Sequence, residues 1–574
     1  METYAAQSGA TLRRSLYDSY IKAFRWATDR IEENGIIGFV TNGQFINAPT
    51  LCGLRKSLVN EFNSIYCFNL RGDQRTQGEL SRKEGGKIFG SGSRTPVAIT
   101  ILLRKKGVKK DGFIRYYDIG DYLTRQQKLD KIRDFGNVNK IGWKIITPDT
   151  NGDWINLRNP QYMNFFPIGI RKNDGESSYF SDNFSTGMVT SRDAWLYSYD
   201  YNSQNAENMI EFFNQEQKRC RLLFEDALSQ NVLSKNQRIK ETFFENSRSV
   251  DAHKISWSRG LLNAFCKDEP LTYKGVRKIV MHRPFCKEWC FVAPKIIESP
   301  SKWERIFPEK NSINYVIAIP GKSKRRFSAL MTDVIQDYDM EQHANSFPLY
   351  IYEKEVIKDD GQMSMFGSAE PKTVKWNRRY ALSDVILHKY RELYGNKVTK
   401  EDIFYYVYAV LQTPAYIDKY SDDLSKDVTR IPTLAHFAQY VQIGRALAEL
   451  HLNYEKPVNA EELGIMVEMR RADYTVVDKI RFGKGKDKGT IEYNPYITIR
   501  NIPEEAYNYS VNGKSAIEWI VEQYAVTTDK VSGIINDPNT YAGGKYIFDL
   551  LLSIISVSLK TQELIAQLPE YKEI

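Results

Sequence analysis

Three stretches of the sequence set cations among glycines and aromatic rings, a mixture able to neutralise phosphates and stack on bases. Residues Arg71–Arg94 hold six Gly and six cations (Arg71, Arg75, Arg82, Lys83, Lys87 and Arg94) against three acids. Gly321–Phe327 places Lys322, Lys324, Arg325 and Arg326 within five positions. Arg470–Lys488 carries seven cations against three acids and includes the turn GKGKDKG, which makes Arg481, Lys484 and Lys486 further DNA-binding candidates. Glycine lets backbone N–H groups approach phosphate oxygens, although each stretch also reads as a solvated loop. A fourth stretch, Tyr273–Trp289, interleaves Lys274, Arg277, Lys278 and Arg283 with rings. Cations snorkelling from a core explain that pattern equally well.

Other chemistry is not supported by spacing. A phosphate-binding G-x-x-x-x-G-K-[ST] loop fails because Asn508 stands where its first glycine belongs. Gly90-Ser91-Gly92 precedes a strand rather than opening a helix, so it is no dinucleotide fingerprint. His282-x3-Cys286-x3-Cys290 is the one metal-like spacing, but it lacks a fourth ligand nearby, and no metal site is assigned. Six His and no G-x-S-x-G elbow give no basis for a hydrolytic triad. Glu353-Lys354-Glu355 reads as a solvated charge run rather than part of a nuclease site.

The elements that must position these residues follow from periodicity. Thr11–Ile31 has helical spacing, Gly35–Thr41 reads as a strand buried on both faces, and Leu54–Phe62 reads as a helix. Ser64–Leu70 and Thr95–Leu103 are further apolar strands, so residues 1–160 are expected to form an α/β layer on a mostly parallel sheet. Residues 161–574, rich in Tyr, Phe and Trp, are expected to form a larger α+β domain, with a loop or linker at 358–375 and a helical C-terminal portion. There Thr399 and Asp402 resemble a capping box before a helix that stops at Pro414, and His436–Tyr454, Ser515–Ala525 and Tyr546–Leu568 continue the helical spacing.

The net charge of +9 is unevenly placed. Residues 1–150 hold 25 Lys and Arg against 15 Asp and Glu, whereas the remainder hold 55 against 56. Excess positive charge on one segment is the footprint of a polyanion binder, and a basic solvated surface is the plainer reading. No apolar run approaches the roughly 20 residues of a membrane helix, no secretory signal is visible, and six Cys are too few for a disulfide scaffold. The expectation is a soluble cytoplasmic protein with no membrane partner.

Several long segments also resemble a known family, in the same order along the chain. SLYDSYIKAFRWATDRIEENGIIGFVTNGQFI (Ser15–Ile46) is similar to the helix–strand unit downstream of the catalytic motif in DNA adenine amino-methyltransferases. Leu54–Lys105 resembles the following motifs in type ISP restriction–modification enzymes. In that family one polypeptide joins a nuclease, a helicase-like motor, an adenine methyltransferase and a target-recognition domain. Thr186–Asp200, His282–Phe291, Lys400–Tyr416 and Asn512–Tyr524 resemble the family's C-terminal specificity region.

The resemblance implies sequence-specific binding of double-stranded DNA, with the cofactor-binding and catalytic N-P-P-Y elements lying upstream. Asn494-Pro495-Tyr496 is incomplete and far downstream, and the chain is expected to start in mid-domain. It would then hold no catalytic residue and bind no cofactor alone. S-adenosylmethionine would enter only if an N-terminal part, missing or on another polypeptide, completed the enzyme. Phe89 matches the aromatic residue that packs against a flipped adenine, although ordinary loop packing explains it too. Arg192, within TSRD, either reads guanine or pairs with Asp193. An autonomous DNA-binding remnant is the alternative.

Overall fold

The computed structural model describes residues 2–8, 14–76, 78–90, 93–170, 175–221, 251–323, 325–356 and 374–574, apart from the side chains of residues 2, 14, 356, 374 and 486. Lys324 and most of the loop expected at 358–375 lie outside them. The chain divides into two compact units. One comprises Met1–Asn164, Lys324–Arg326 and Tyr420–Asp427; the other comprises Phe165–Ser323, Phe327–Lys419 and Val428–Ile574.

The first unit is built on a five-stranded sheet. Its strands are β1 (Asn34–Asn42), β2 (Ser64–Asn69), β3 (Val97–Lys105), β4 (Ile114–Asp118) and β5 (Lys144–Ile146), in spatial order β1-β3-β2-β4-β5. Helices α1 (Glu2–Ala6), α2 (Ser19–Arg30), α3 (Cys52–Glu61), α4 (Gly78–Glu84) and α5 (Arg125–Phe135) accompany them. The expected mostly parallel sheet is not what forms. Only β2 and β4 pair in parallel, while β3 inserts between β1 and β2 and runs antiparallel to both. The β1–α3–β2 crossover does leave β1 and β2 pointing the same way, which is the rhythm the sequence carries.

Edge position also corrects the reading of Gly35–Thr41 as buried on both faces. Alternation sends Ile37 into the core beneath α2 and α3, whereas Ile36 and Val40 are 70% and 56% exposed. The core itself joins Ile21 and Phe24 of α2, Leu54 and Leu58 of α3, and Ile65, Cys67, Ala98 and Leu102 of the sheet. Within it lies a buried ion pair: Arg55 reaches Asp153 at 2.9 Å and donates to the carbonyls of Gly152, Phe45 and Ala48. Lys426 approaches the same carboxylate at 3.1 Å. Arg158 joins it at 3.2 Å, and three cations around one carboxylate, with backbone acceptors for the rest, is the satisfied form such a buried cluster requires.

The second unit is a mosaic of small sheets and helices, so the architecture is mixed α/β. A hairpin of Val276–Arg283 and Cys286–Val292 lies between Ile335–Gln336 and Tyr197–Ser198. A second sheet orders Leu330–Thr332, Val316–Ile319, Asn345–Pro348 and Ser185–Thr186. A third orders Met466–Met469, Ile497–Arg500, Asp487–Glu492 and Arg481–Gly483. Tyr350–Val356 and Val374–Tyr380 form a two-stranded ribbon of their own, so residues Val374 and Lys375 of the expected loop are strand.

The C-terminal helices match their sequence signals closely. Thr399 and Asp402 make a reciprocal capping box for Lys400–Gln412, and Phe437–Leu452, Ala516–Gln523 and Tyr546–Ala566 follow. A Cβ at Gly444 would sit 2.0 Å from the Tyr405 carbonyl oxygen, so glycine is what lets Phe437–Leu452 approach Lys400–Gln412. Among the described residues no helix is long and apolar enough to cross a membrane.

Candidate nucleic-acid interface

In the first unit the Arg71–Arg94 segment is a held loop rather than a slack one. It contains α4, whose closing carbonyl at Glu84 accepts from the Lys128 ammonium of α5 at 2.7 Å. The same ammonium donates to Gly86 O at 2.9 Å, and Arg125 Nε donates to Ile88 O at 2.7 Å. Gly85 has φ +67 and its Cβ would lie 2.2 Å from Leu123 O, so the loop can close on the start of α5 only through glycine. Burial lowers the Lys128 pKa to about 8 against the opposing pull of Glu84. Spacing gave no hint of this role, because Lys128 sits in an ordinary charged helix sequence.

These bonds fix the point from which Phe89 projects, and its ring is 50% exposed. Tyr122, at φ +62, is exposed as well, and its hydroxyl donates to Glu79 at 2.6 Å. The cations of the segment separate into two kinds. Arg71 is half-buried and tied to Asp118 at 2.6 Å and to Asp121; burial works against its charge, yet the two carboxylates raise its pKa overall. It braces the loop and is no exposed phosphate ligand, which corrects its place among the DNA-binding candidates. Arg75, Arg82 and Arg94 are exposed, and Lys83 and Lys87 half-buried. Arg82 pairs with Glu79 at 2.9 Å in a solvent-facing contact, and Arg94 donates to Gln74 O. Exposed pairs of this kind are worth little and exchange readily for phosphate.

In the second unit Arg192 is a second correction. Its side chain is fully buried, and its guanidinium donates to Ile296 O, to Ser258 Oγ at 2.5 Å and to Glu298 at 3.4 Å. No exposed donor remains for a base, and the acid it pairs with is Glu298 rather than Asp193. Burial lowers its pKa against the pull of Glu298. Asp193 instead accepts from Thr190 and faces His282 Nε2 at 3.8 Å.

His282 belongs to a buried charge network and not to a metal set. Its Nδ1 bonds Glu288 at 2.5 Å, and its ring stacks on Tyr197 at 4.2 Å. Tyr197 donates to Asp337, which also receives Arg283 at 3.0 Å. Cys286 and Cys290 lie in two different hydrophobic clusters. Among the described residues no group of three metal-ligating side chains forms. Two other cations of Tyr273–Trp289 are likewise engaged, Arg277 with Glu207 and Lys287 with Glu455.

The remaining clusters are at the surface. Lys322 and Arg326 are exposed and Arg325 half-buried, while Ser323 between them is buried and donates to Gln342 at 2.5 Å. Lys484 is exposed on the GKGKDKG turn, and Arg481 is paired with Asp478 at 2.5 Å. That turn borders a cleft of about 520 Å³ whose cations Arg470, Lys484 and Arg500 meet the acids Glu468, Asp487 and Glu492. Equal numbers of opposite charges give this cleft no net pull on a phosphate backbone.

The family model described as the Type ISP C-terminal specificity domain matches residues 179–550. No curated protein matches the chain. A nuclease-deletion mutant of the Type ISP restriction–modification enzyme LlaGI, solved with a DNA substrate mimic, is 40% identical with a TM-score of 0.83 over 100% of this chain and 42% of its own. ATP-dependent Type ISP enzyme LlaBIII, solved bound to DNA, is 34% identical with a TM-score of 0.83 over 100% of this chain and 35% of its own. A DrdV–DNA complex is 25% identical with a TM-score of 0.79, over 99% of this chain and 54% of that one. The chain thus spans well under half the length of the two Type ISP enzymes. It belongs to the Type ISP restriction–modification enzymes, and most of it is their C-terminal specificity domain.

Proposed function

We propose that this chain recognises a specific sequence in double-stranded DNA for a Type ISP adenine methyltransferase, and contributes one wall of the pocket that receives the flipped base. The specificity-domain match over residues 179–550 carries the recognition half of this reading. The pinned Phe89 loop supports the other half: an extruded base needs a stacking surface in place of its lost neighbours, and a rigidly held exposed ring supplies one. The cations beside it, exposed Arg75, Arg82 and Arg94 and half-buried Lys83 and Lys87, contribute sequence-blind phosphate contacts. Nuclease, motor and cofactor-binding parts would lie on another polypeptide or in the length by which the relatives exceed this chain.

No S-adenosylmethionine binding by the described residues of the first unit alone is part of this proposal. Their apolar cavity, about 170 Å³ between Tyr66, Phe68, Ile101, Phe135 and Trp143, has no acidic side chain in its lining to hold ribose hydroxyls. The test of the proposal is a binding selection on random duplexes at two salt concentrations. Wild type should enrich one motif. Neutralising Arg82, Lys83 and Lys87 together should weaken all sequences alike and reduce the salt slope by up to about 2–3 units, at about 0.9 per phosphate contact. A wild-type chain that enriches no motif would overturn the proposal.

A further inference from the structure

The two-stranded ribbon Tyr350–Val356 and Val374–Tyr380 of the second unit carries a dense set of exposed charged and polar side chains. Seven residue pairs register across it, from Tyr350 opposite Tyr380 to Val356 opposite Val374. Its base is fixed: the Asn314 side chain donates to Tyr350 O at 2.8 Å and accepts from Tyr350 N at 3.0 Å, while Tyr352 donates to Ile313 O. Beyond Tyr352 it leaves the core, and Glu353, Lys354, Glu355, Lys375, Asn377, Arg378 and Arg379 are all exposed.

Alternation divides these residues between two faces. One carries Glu353, Glu355, Lys375, Asn377 and Arg379, in which Arg379 pairs with Glu353 and Asn377 donates to Glu355, each at 2.7 Å. The other carries Lys354 and Arg378, laid over the rings of Trp376 at 5.7 Å and Tyr350 at 4.3 Å. The ribbon as a whole has four cations against two carboxylates.

Building on the proposed DNA recognition, we infer that this ribbon enters the major groove of the target duplex and reads base edges with its Glu353–Asn377–Arg379 face. Three properties converge on that occupant. The major groove, about 12 Å wide, admits a two-stranded ribbon. The face offers the side chains that distinguish bases there: arginine for guanine O6 and N7, asparagine for adenine N6 and N7, and glutamate for the cytosine amine. Its cross-strand pairs are solvent-exposed, so they exchange for base contacts at small cost, and the surplus of cations draws the ribbon towards phosphate. The balanced cleft beside Lys484 has no such surplus. Charge on a ribbon can also serve only to keep its edges from pairing with other chains, a role in which any cation replaces any other.

The test exploits that difference. In full-length protein, Arg379→Lys keeps the charge but loses the two-pronged fork, and Asn377→Ala removes the adenine-reading amide. Each should weaken binding to the selected site by about 5- to 150-fold, relax the motif at one position, and leave affinity for unrelated DNA and the salt slope unchanged. Arg378→Lys, on the opposite face, should leave the motif intact. An unaltered motif in both Arg379→Lys and Asn377→Ala, or a motif relaxed by Arg378→Lys, would overturn the inference while DNA recognition by the chain stands. Failure of wild type to enrich any motif would overturn both.

Discussion

The Lys128 ammonium donates to Gly86 O at 2.9 Å, so helix α5 grips the loop that presents Phe89. A lysine there is unusual, since burial depresses its pKa to about 8, yet it satisfies two carbonyls at once. Lys128→Met should leave both acceptors without their donor and cost about 1–3 kcal/mol. Its signature should be local: backbone exchange at residues 85–90 accelerates at least about tenfold, while β2 and β3 stay protected. Equal exchange in wild type and variant would show that Arg125 and the glycine contacts hold the loop without it.

Arg192 should behave as a structural residue. Arg192→Leu leaves Glu298 and two carbonyl or hydroxyl partners unmatched, and should lower stability by about 3–5 kcal/mol in chemical denaturation. Any folded fraction should select the wild-type motif. A variant as stable as wild type with an altered motif would return Arg192 to the base-reading side chains.

His282 makes stability depend on pH in a definite direction. Burial and Arg283 oppose its charge, but Glu288 and Asp193 outweigh them and raise its pKa from 6.5 to about 9. Because the folded value lies above the unfolded one, this stabilisation is complete below about pH 6.5 and is lost as pH rises through about 9. Asp337 contributes to the same network through Arg283 and Tyr197. The melting temperature of wild type should exceed that of His282→Gln at about pH 6, and the gap should shrink by about pH 10. A gap constant across that range would mean that His282 is neutral in the fold.

S-adenosylmethionine should give no saturable heat with this chain in calorimetry at millimolar ligand. A micromolar dissociation constant would place the cofactor elements among residues that carry neither the glycine-rich nor the N-P-P-Y motif.

What the sequence made legible was local. The Thr399–Asp402 box and the Gln412–Pro414 stop concern neighbouring residues, and Lys400–Gln412 forms where they place it. The order of the sheet was not legible, because the insertion of β3 between β1 and β2 depends on pairings remote in sequence, such as Asn34 with Lys105. Arg71 looked like a phosphate ligand because its partner Asp118 lies 47 positions away, and Arg192 looked like a base reader because Ile296 lies 104 positions away. The ribbon was overlooked for a related reason: Glu353 and Glu355 become one polar face only when Asn377 and Arg379 come to lie opposite.

The Arg55–Asp153–Lys426 cluster imposes a schedule on synthesis. Arg55 and Asp153 leave the ribosome before the second unit, but Lys426, which also donates to the Asn156 carbonyl 270 positions back, emerges only after most of the second unit has been made. At about 5–20 residues per second, that interval lasts roughly 14 to 55 seconds. Throughout it the nascent first unit has the Asp153 carboxylate paired only with Arg55 and Arg158, without Lys426, and the β1 edge with Ile36 and Val40 open to solvent. The window is long enough for chaperones to engage and for neighbouring nascent chains on a polysome to pair edge to edge. Slowing translation between the codons for Asp153 and Lys426 would lengthen it, whereas slowing after Lys426 would not.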